Sequence, residues 1–128
     1  MRSVEKILRE VESVPDYYGH KATSVHYKNG WGETPLHIVS CWGDCEAINT
    51  LIEAGADINA PGEYEFTPLH YAVEQNHPEA VALLLALGAK NLRDREGYTP
   101  MALAELLDRD EIIKLFAGGI IVGGDADE

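Results

Sequence analysis

A chain of 128 residues with 45% hydrophobic content makes one domain and can bury a core without disulfide or metal staples. Its net charge of −12 speaks against nucleic acid and anionic membrane as partners and favours proteins with basic patches, with plain solubility as the competing explanation. No apolar run approaches the about 20 residues of a membrane span, and Arg2, Glu5, Lys6, Arg9, Glu10 and Glu12 exclude a secretory signal at the start; the expected location is cytoplasmic, with Cys41 and Cys45 reduced.

Val4, Ile7, Leu8, Val11 and Val14 fall at spacings of three and four, which predicts a helix over residues 3–14 with Ser3 as its cap and Pro15 as its stop. Residues 15–33 have no periodicity, yet they carry Tyr17, Tyr18, Tyr27 and Trp31, so this long connection is expected to be packed. Asn29-Gly30 within it marks a tight turn. A helix over 35–42 follows, broken by Gly43. Asp44 then caps a second helix reaching residue 54, with Ala47, Ile48, Leu51 and Ile52 as its buried stripe. Further helices are predicted over 68–75, over 78–87 with Val81, Leu84 and Leu85 inward, over 100–107 and over 110–116. The tail 118–128 alternates Gly-Gly with Ile120-Ile121-Val122 and ends in acids. It is either a disordered end or a short strand laid on the last helices or on a partner.

The predicted helix pairs are copies. Thr34-Pro35-Leu36-His37 returns after 33 residues as Thr67-Pro68-Leu69-His70, and after 32 more, eroded, as Thr99-Pro100-Met101-Ala102. Gly55-Ala56-Asp57-Ile58-Asn59 keeps the same beat with Gly88-Ala89-Lys90-Asn91. Two markers in phase mean a structural repeat of solenoid length. Physically the first word is a helix start, because the Thr hydroxyl accepts a free backbone N–H and Pro at the first helical position loses no bond. The two histidines then sit where an imidazole can bond nearby backbone, a structural role, and Gly55 and Gly88 suit the left-handed residue that closes a helix.

These words resemble the ankyrin repeat family. The resemblance implies an all-α solenoid of helix-turn-helix repeats with short finger loops, forming a single domain over 1–118. Within it, 1–24 is the capping helix and loop, 25–60 repeat one, 61–93 repeat two and 94–117 repeat three. A solenoid end must cover its open core, which is the task expected of the first helix. Two departures stand out. Glu63-Tyr64-Glu65-Phe66 occupies the place of the second finger's turn glycine, with Gly62 three residues too early, which leaves that finger's shape open. Ala102 replaces the third His, and Asp108-Arg109 replaces the usual Gly-His.

The resemblance also implies which residues face the hollow of the stack. Residue by residue these include Trp31, Glu33, Cys41 and Trp42 in repeat one, and Glu63, Tyr64, Phe66, Glu74 and Gln75 in repeat two. Repeat three adds Arg95, Glu96, Tyr98, Leu106 and Leu107. Trp31, Trp42, Tyr64, Phe66 and Tyr98 are large aromatics where folding does not need them, and Glu33, Glu63, Glu74 and Glu96 add negative potential. For Phe66 and Tyr98, packing on the next finger competes with binding.

Catalysis finds no footing. His37, Cys41 and Cys45 recur every four residues, but Gly43 interrupts the helix, only two thiols exist and there is no Cys-x-x-Cys pair, which argues against a metal site. Phosphate loops of the glycine-rich types are absent, and paired acids such as Asp108 and Asp110 read as solvated charges. No catalytic, cofactor or metal residue is therefore assigned. The expected function is a non-catalytic protein-binding module, monomeric when free and complete as a small unit from Met1. Its partner would be basic on the contacting surface, as for an inhibitor or immunity protein of a toxin or nuclease. The alternative is an adaptor bridging two proteins, and an enzyme comes last.

Overall fold

In the computed structural model, which describes residues 1–118, seven helices account for the regular structure and no strand is present among the described residues. They are α1 Val4–Glu12, α2 Pro35–Trp42, α3 Cys45–Glu53, α4 Pro68–Glu74, α5 Pro78–Ala86, α6 Pro100–Leu106 and α7 Asp110–Ala117. The sequence signals locate them to within a residue or two. Ser3 caps α1 by accepting the Lys6 N–H at 3.1 Å, and Pro15 stops it by opening a single tight turn, Pro15–Tyr17. Asp44 caps α3 through the Ala47 N–H. The expectations for the tail beyond Gly118 lie outside the described residues.

Helices α2, α4 and α6 pack side by side as an inner row, with α3, α5 and α7 as an outer row, and each inner helix also packs on the outer helix that follows it. Helix α1 lies against both α2 and α3, burying Ile7, Leu8 and Val11 over the first pair. The core is one continuous cluster in which Leu36, Val39, Ile48, Leu51, Leu69, Val73, Val81, Leu84 and Ile112 are fully enclosed.

What ties successive pairs together is the histidine of the helix-start word. His37 Nδ1 accepts the Thr34 backbone N–H at 3.0 Å, so its Nε2 carries the proton and donates to the carbonyls of Ala60 at 2.8 Å and Phe66 at 3.0 Å. His70 repeats this, accepting from Thr67 N–H at 3.1 Å and donating to the Tyr98 carbonyl at 2.8 Å. Each ring thus closes its own helix start and holds the next loop. Burial keeps both rings neutral by disfavouring the cation, lowering His37 to about 4.

A second set of links runs the opposite way. His77 Nε2 donates to the Cys41 carbonyl at 2.9 Å, and one pair later Arg109 donates to the Glu74 carbonyl at 2.6 Å, so arginine takes over the histidine's link. Gly43 is required here twice over: its φ is +71°, and a Cβ would lie 2.5 Å from the His77 ring.

The connection over 15–33 is packed, as its aromatics suggest. Tyr17 is fully buried and donates to the Glu33 carbonyl at 2.6 Å, while His20 and Tyr27 bond each other at 2.7 Å beside it. Arg9 donates to the Ala22 carbonyl and Glu12 accepts the Ala22 N–H, stitching the loop to α1.

Candidate protein-binding face

Three finger loops, residues 29–33, 62–66 and 94–98, precede α2, α4 and α6, and each is closed by one backbone bond from its first N–H to its fifth carbonyl. These are Asn29 to Glu33 at 3.0 Å, Gly62 to Phe66 at 2.7 Å and Asp94 to Tyr98 at 2.8 Å. The fourth residue of each is left-handed: Gly32 at φ 85°, Glu65 at φ 62° and Gly97 at φ 92°. The register of the second finger is thereby resolved. Gly62 stands where Asn29 and Asp94 stand, and Glu65 holds the turn-glycine place, preceded by Tyr64, which is also left-handed at φ 57°. Two consecutive non-glycine residues in that region cost about 1–2 kcal/mol each.

The tip aromatics face solvent. Trp31 is 59% exposed, Tyr64 58% and Trp42, at the end of α2, 39%. Phe66 is half-buried, its ring stacked on His70 at 4.8 Å between centroids and edge-on to Tyr71 at 5.2 Å, so packing on the stack accounts for it. Tyr98 is also half-buried. Gln75 and Glu96 are exposed, and Glu63 and Glu74 are half-buried. Arg95 is exposed and lies over the Tyr64 ring at 5.6 Å, with its backbone N–H bonded to the Tyr64 carbonyl at 2.9 Å. Trp31, Trp42 and Tyr64 therefore stand apart, at two finger tips and one helix end, while Tyr64 and Arg95 form one contact.

Glu33 corrects the expected picture of a charge facing outward. It is only 4% exposed, enclosed behind Tyr17 and Tyr71, and its Oε2 accepts from the Tyr71 hydroxyl and from the Glu63 N–H. Burial raises its carboxyl above the usual range against the pull of those two donors, and the charges of Glu63 and Asp16 add to the rise. Burial, helped by Glu33, Glu63 and Glu74, likewise raises the Tyr71 hydroxyl. Tyr71 is the residue missed by sequence reasoning. It follows His70 in the repeated word, and only its contact with a carboxylate 38 residues away gives it a part in the site.

His37, Cys41 and Cys45 do not act together. Both His37 nitrogens are engaged by backbone, and burial raises both thiols.

The family model described as "Ankyrin repeats (3 copies)" matches residues 9–94 and 36–123. The chain belongs to the ankyrin repeat family. Among curated ankyrin-containing relatives, human Rabankyrin-5 is 40% identical over 75 residues, which is 57% of this chain and 6% of that protein. Human Neurogenic locus notch homolog protein 4 is 38% identical over 87 residues, 66% of this chain and 4% of that protein. Human Protein phosphatase 1 regulatory subunit 27 is 30% identical over 112 residues, 85% of this chain and 71% of that protein. This chain thus spans a small fraction of the first two relatives and most of the third. Ankyrin repeats are protein–protein interaction modules and generally non-catalytic. No helix among the described residues is long and apolar enough to cross a membrane.

Proposed function

We propose that this ankyrin domain, residues 1–118, binds a protein partner with a basic patch through the face formed by its finger tips and inner-helix ends. The observation that carries the reading is the solvent exposure of Trp31, Trp42 and Tyr64, large aromatics of the kind that anchor interfaces. Charge supports the sign of the partner. Every ion pair among the described residues lies within residues 2–46, joining Arg2, Lys6 and Arg9 to Glu10, Glu12, Asp44 and Glu46, so Glu63, Glu74 and Glu96 have no cation of their own there. Exposed aromatics with uncompensated carboxylates complement lysine and arginine side chains through both charge and ring faces.

With a net charge of −12, the partner class that fits is a basic enzyme, such as a nuclease or other toxin, held by this chain as an inhibitor or immunity protein. A regulatory adaptor is the second reading. It is favoured by the relative matched over 71% of its length, which is by name a regulatory subunit of protein phosphatase 1. On either reading Trp31, Trp42, Glu63, Tyr64, Glu74, Gln75, Arg95 and Glu96 form the contacting set, with Phe66, Tyr98 and Glu33 supporting it from behind. Two partners competing for one face would exclude the adaptor.

The test is capture from the native cell with wild type and with Trp42→Ala/Tyr64→Ala side by side, at low and physiological salt. The expected result is a basic protein held by wild type, weakened by salt and lost from the double variant. Equal retention of every captured protein by both would overturn the reading.

A further inference from the structure

The second finger lacks the residue that organises the other two. Asn29 Oδ1 accepts the N–H groups of Trp31 and Glu33 at 2.9 Å each, and Asp94 Oδ1 accepts those of Glu96 and Tyr98 at 2.9 Å each. One side-chain oxygen at the first position thus gathers two loop N–H groups. Gly62 holds that position in the second finger and has no side chain to do so. The space is filled from elsewhere: a Cβ on Gly62 would lie 3.0 Å from Glu33 Oε2 and 2.9 Å from His37 Nε2. The same Oε2 accepts the Glu63 N–H at 3.2 Å and the Tyr71 hydroxyl.

We propose that Glu33 fastens the second finger in place of the missing first-position side chain, by a different bond: it accepts the N–H of the second residue, Glu63, where Asn29 and Asp94 accept those of the third and fifth. Glu33 is thereby the positioning residue for Tyr64. It fastens the peptide next to two left-handed, non-glycine residues, Tyr64 and Glu65, and so keeps the exposed Tyr64 ring at one place beside Arg95. A loop with that strain holds its shape only when outside bonds over-determine it. The bonds available are the Glu33 carboxylate, the Tyr64 carbonyl to Arg95 N–H, and His37 on the Ala60 and Phe66 carbonyls. The arrangement also makes fingers one and two a single body, which a within-finger aspartate would not do.

The groups facing the Glu33 carboxyl are Asp16 and Tyr17 from the packed loop, His37 and Cys41 from α2, Glu63 from the second finger and Tyr71 from α4, with Glu74 acting on Tyr71 and Cys41 behind them. Burial foremost, and then the charges of Glu63 and Asp16, put its titration above that of an ordinary carboxylate, and the Glu63 amide in contact with it reports that event.

This inference rests on the proposal that Tyr64 belongs to a binding face, but it is tested on the free full-length chain. Absence of a partner in capture experiments would therefore count against that face and leave this test untouched. The proteins are wild type, Glu33→Gln, Gly62→Asp and Glu33→Ala/Gly62→Asp, all labelled with nitrogen-15. In wild type the Glu63 amide resonance is expected to move with pH at a midpoint above the usual carboxylate range, and in Glu33→Gln the movement at that midpoint disappears. Gly62→Asp alone should melt well below wild type, because its side chain enters space held by Glu33 and His37 and adds a second carboxylate there. The double variant should recover most of that loss, with the new carboxylate accepting the Tyr64 N–H as Asp94 accepts that of Glu96, which moves the Tyr64 amide resonance downfield. A Glu63 amide that ignores pH in wild type, or a double variant no more stable than Gly62→Asp, would overturn the proposal.

Discussion

The two ends of the stack are built from the same helix-pair unit and finished differently. At the start, α1 is laid across α2 and α3, and Arg2, just before it, joins Glu10 of α1 at 2.6 Å to Asp44 at 2.5 Å and Glu46 at 2.9 Å. At the other end, Met101, Ala102 and Glu105 occupy the register of Leu36, His37 and Ser40, and Met101 is 37% exposed where Leu36 and Leu69 are fully buried. Each of the three inner helices starts at Thr-Pro, though only α2 and α4 add the histidine that accepts the Thr N–H. What differs, among the described residues, is the neighbour. A side chain in this register is buried or wet according to whether another element lies beyond it, and the sequence changes in step. Leu, His and Ser give way to Met, Ala and Glu.

Removing the cover should have the largest effect. Deleting residues 1–14 uncovers Ile7's, Leu8's and Val11's partners on α2 and α3. At about 1.5–3 kcal/mol for each large side chain buried, the loss approaches the about 5–15 kcal/mol that holds a small domain together. Three repeats are also near the minimum for a stable stack. The expected outcome is unfolding or association, read by circular dichroism melting and size-exclusion chromatography. A monomer with unchanged melting would show that α1 covers nothing of consequence.

A smaller effect separates the histidine-latched pairs from the third. His37 is fully buried and its folded value is lowered to about 4 from 6.5 by burial, so the folded state resists the proton that the unfolded chain accepts. The stability His37 provides is therefore present above about 6.5 and lost as pH falls towards about 4, by roughly 3 kcal/mol in all. Glu33 works with the opposite sign: its raised carboxyl is a burden at neutral pH that eases as pH falls through its folded value. Denaturant unfolding of wild type and His37→Gln at pH 7 and pH 4 should show the acid loss shrinking by about that amount in the variant. An unchanged pH dependence would mean that His37 is not the group being charged.

Most of the fold is legible in the sequence because repeat words are local. Thr-Pro-Leu-His places each helix start, Gly43 and Asp44 mark the break between α2 and α3, and the stripe of Val4, Ile7, Leu8 and Val11 locates α1. The outward aromatics are legible for the same reason, since Trp31, Trp42 and Tyr64 occupy places where the repeat has no use for a large ring. Glu33 is not legible. Its burial is created by Tyr17 from the unperiodic loop and by Tyr71 from the next repeat, and neither contact leaves a mark at residue 33. The second finger's register is obscure for a related reason. Pattern reading looks for a glycine in the left-handed place and meets Glu65 there, held by bonds that come from outside the loop.

The gentlest test asks whether the third pair's missing histidine is a loss or an adaptation. In α2 and α4 the imidazole has two tasks, accepting the Thr N–H of its own helix start and donating to a carbonyl of the next loop. At Ala102 no side chain performs the first task, but Thr99 is only half-buried where Thr34 and Thr67 are buried, so less is lost by leaving its N–H without an imidazole; the Thr99 hydroxyl still accepts the Ala102 N–H at 3.1 Å. The second task has no fourth finger among the described residues to serve. Ala102→His should therefore change stability by no more than about 0.5 kcal/mol, as for an ordinary surface substitution. His70→Ala should cost clearly more, because it leaves the buried Thr67 N–H without an acceptor and releases the Tyr98 carbonyl. If chemical denaturation instead shows Ala102→His stabilising the chain by more than about 1 kcal/mol, the bond it gains has to go to a carbonyl beyond the described helices, and the third pair would be an interior unit rather than an end.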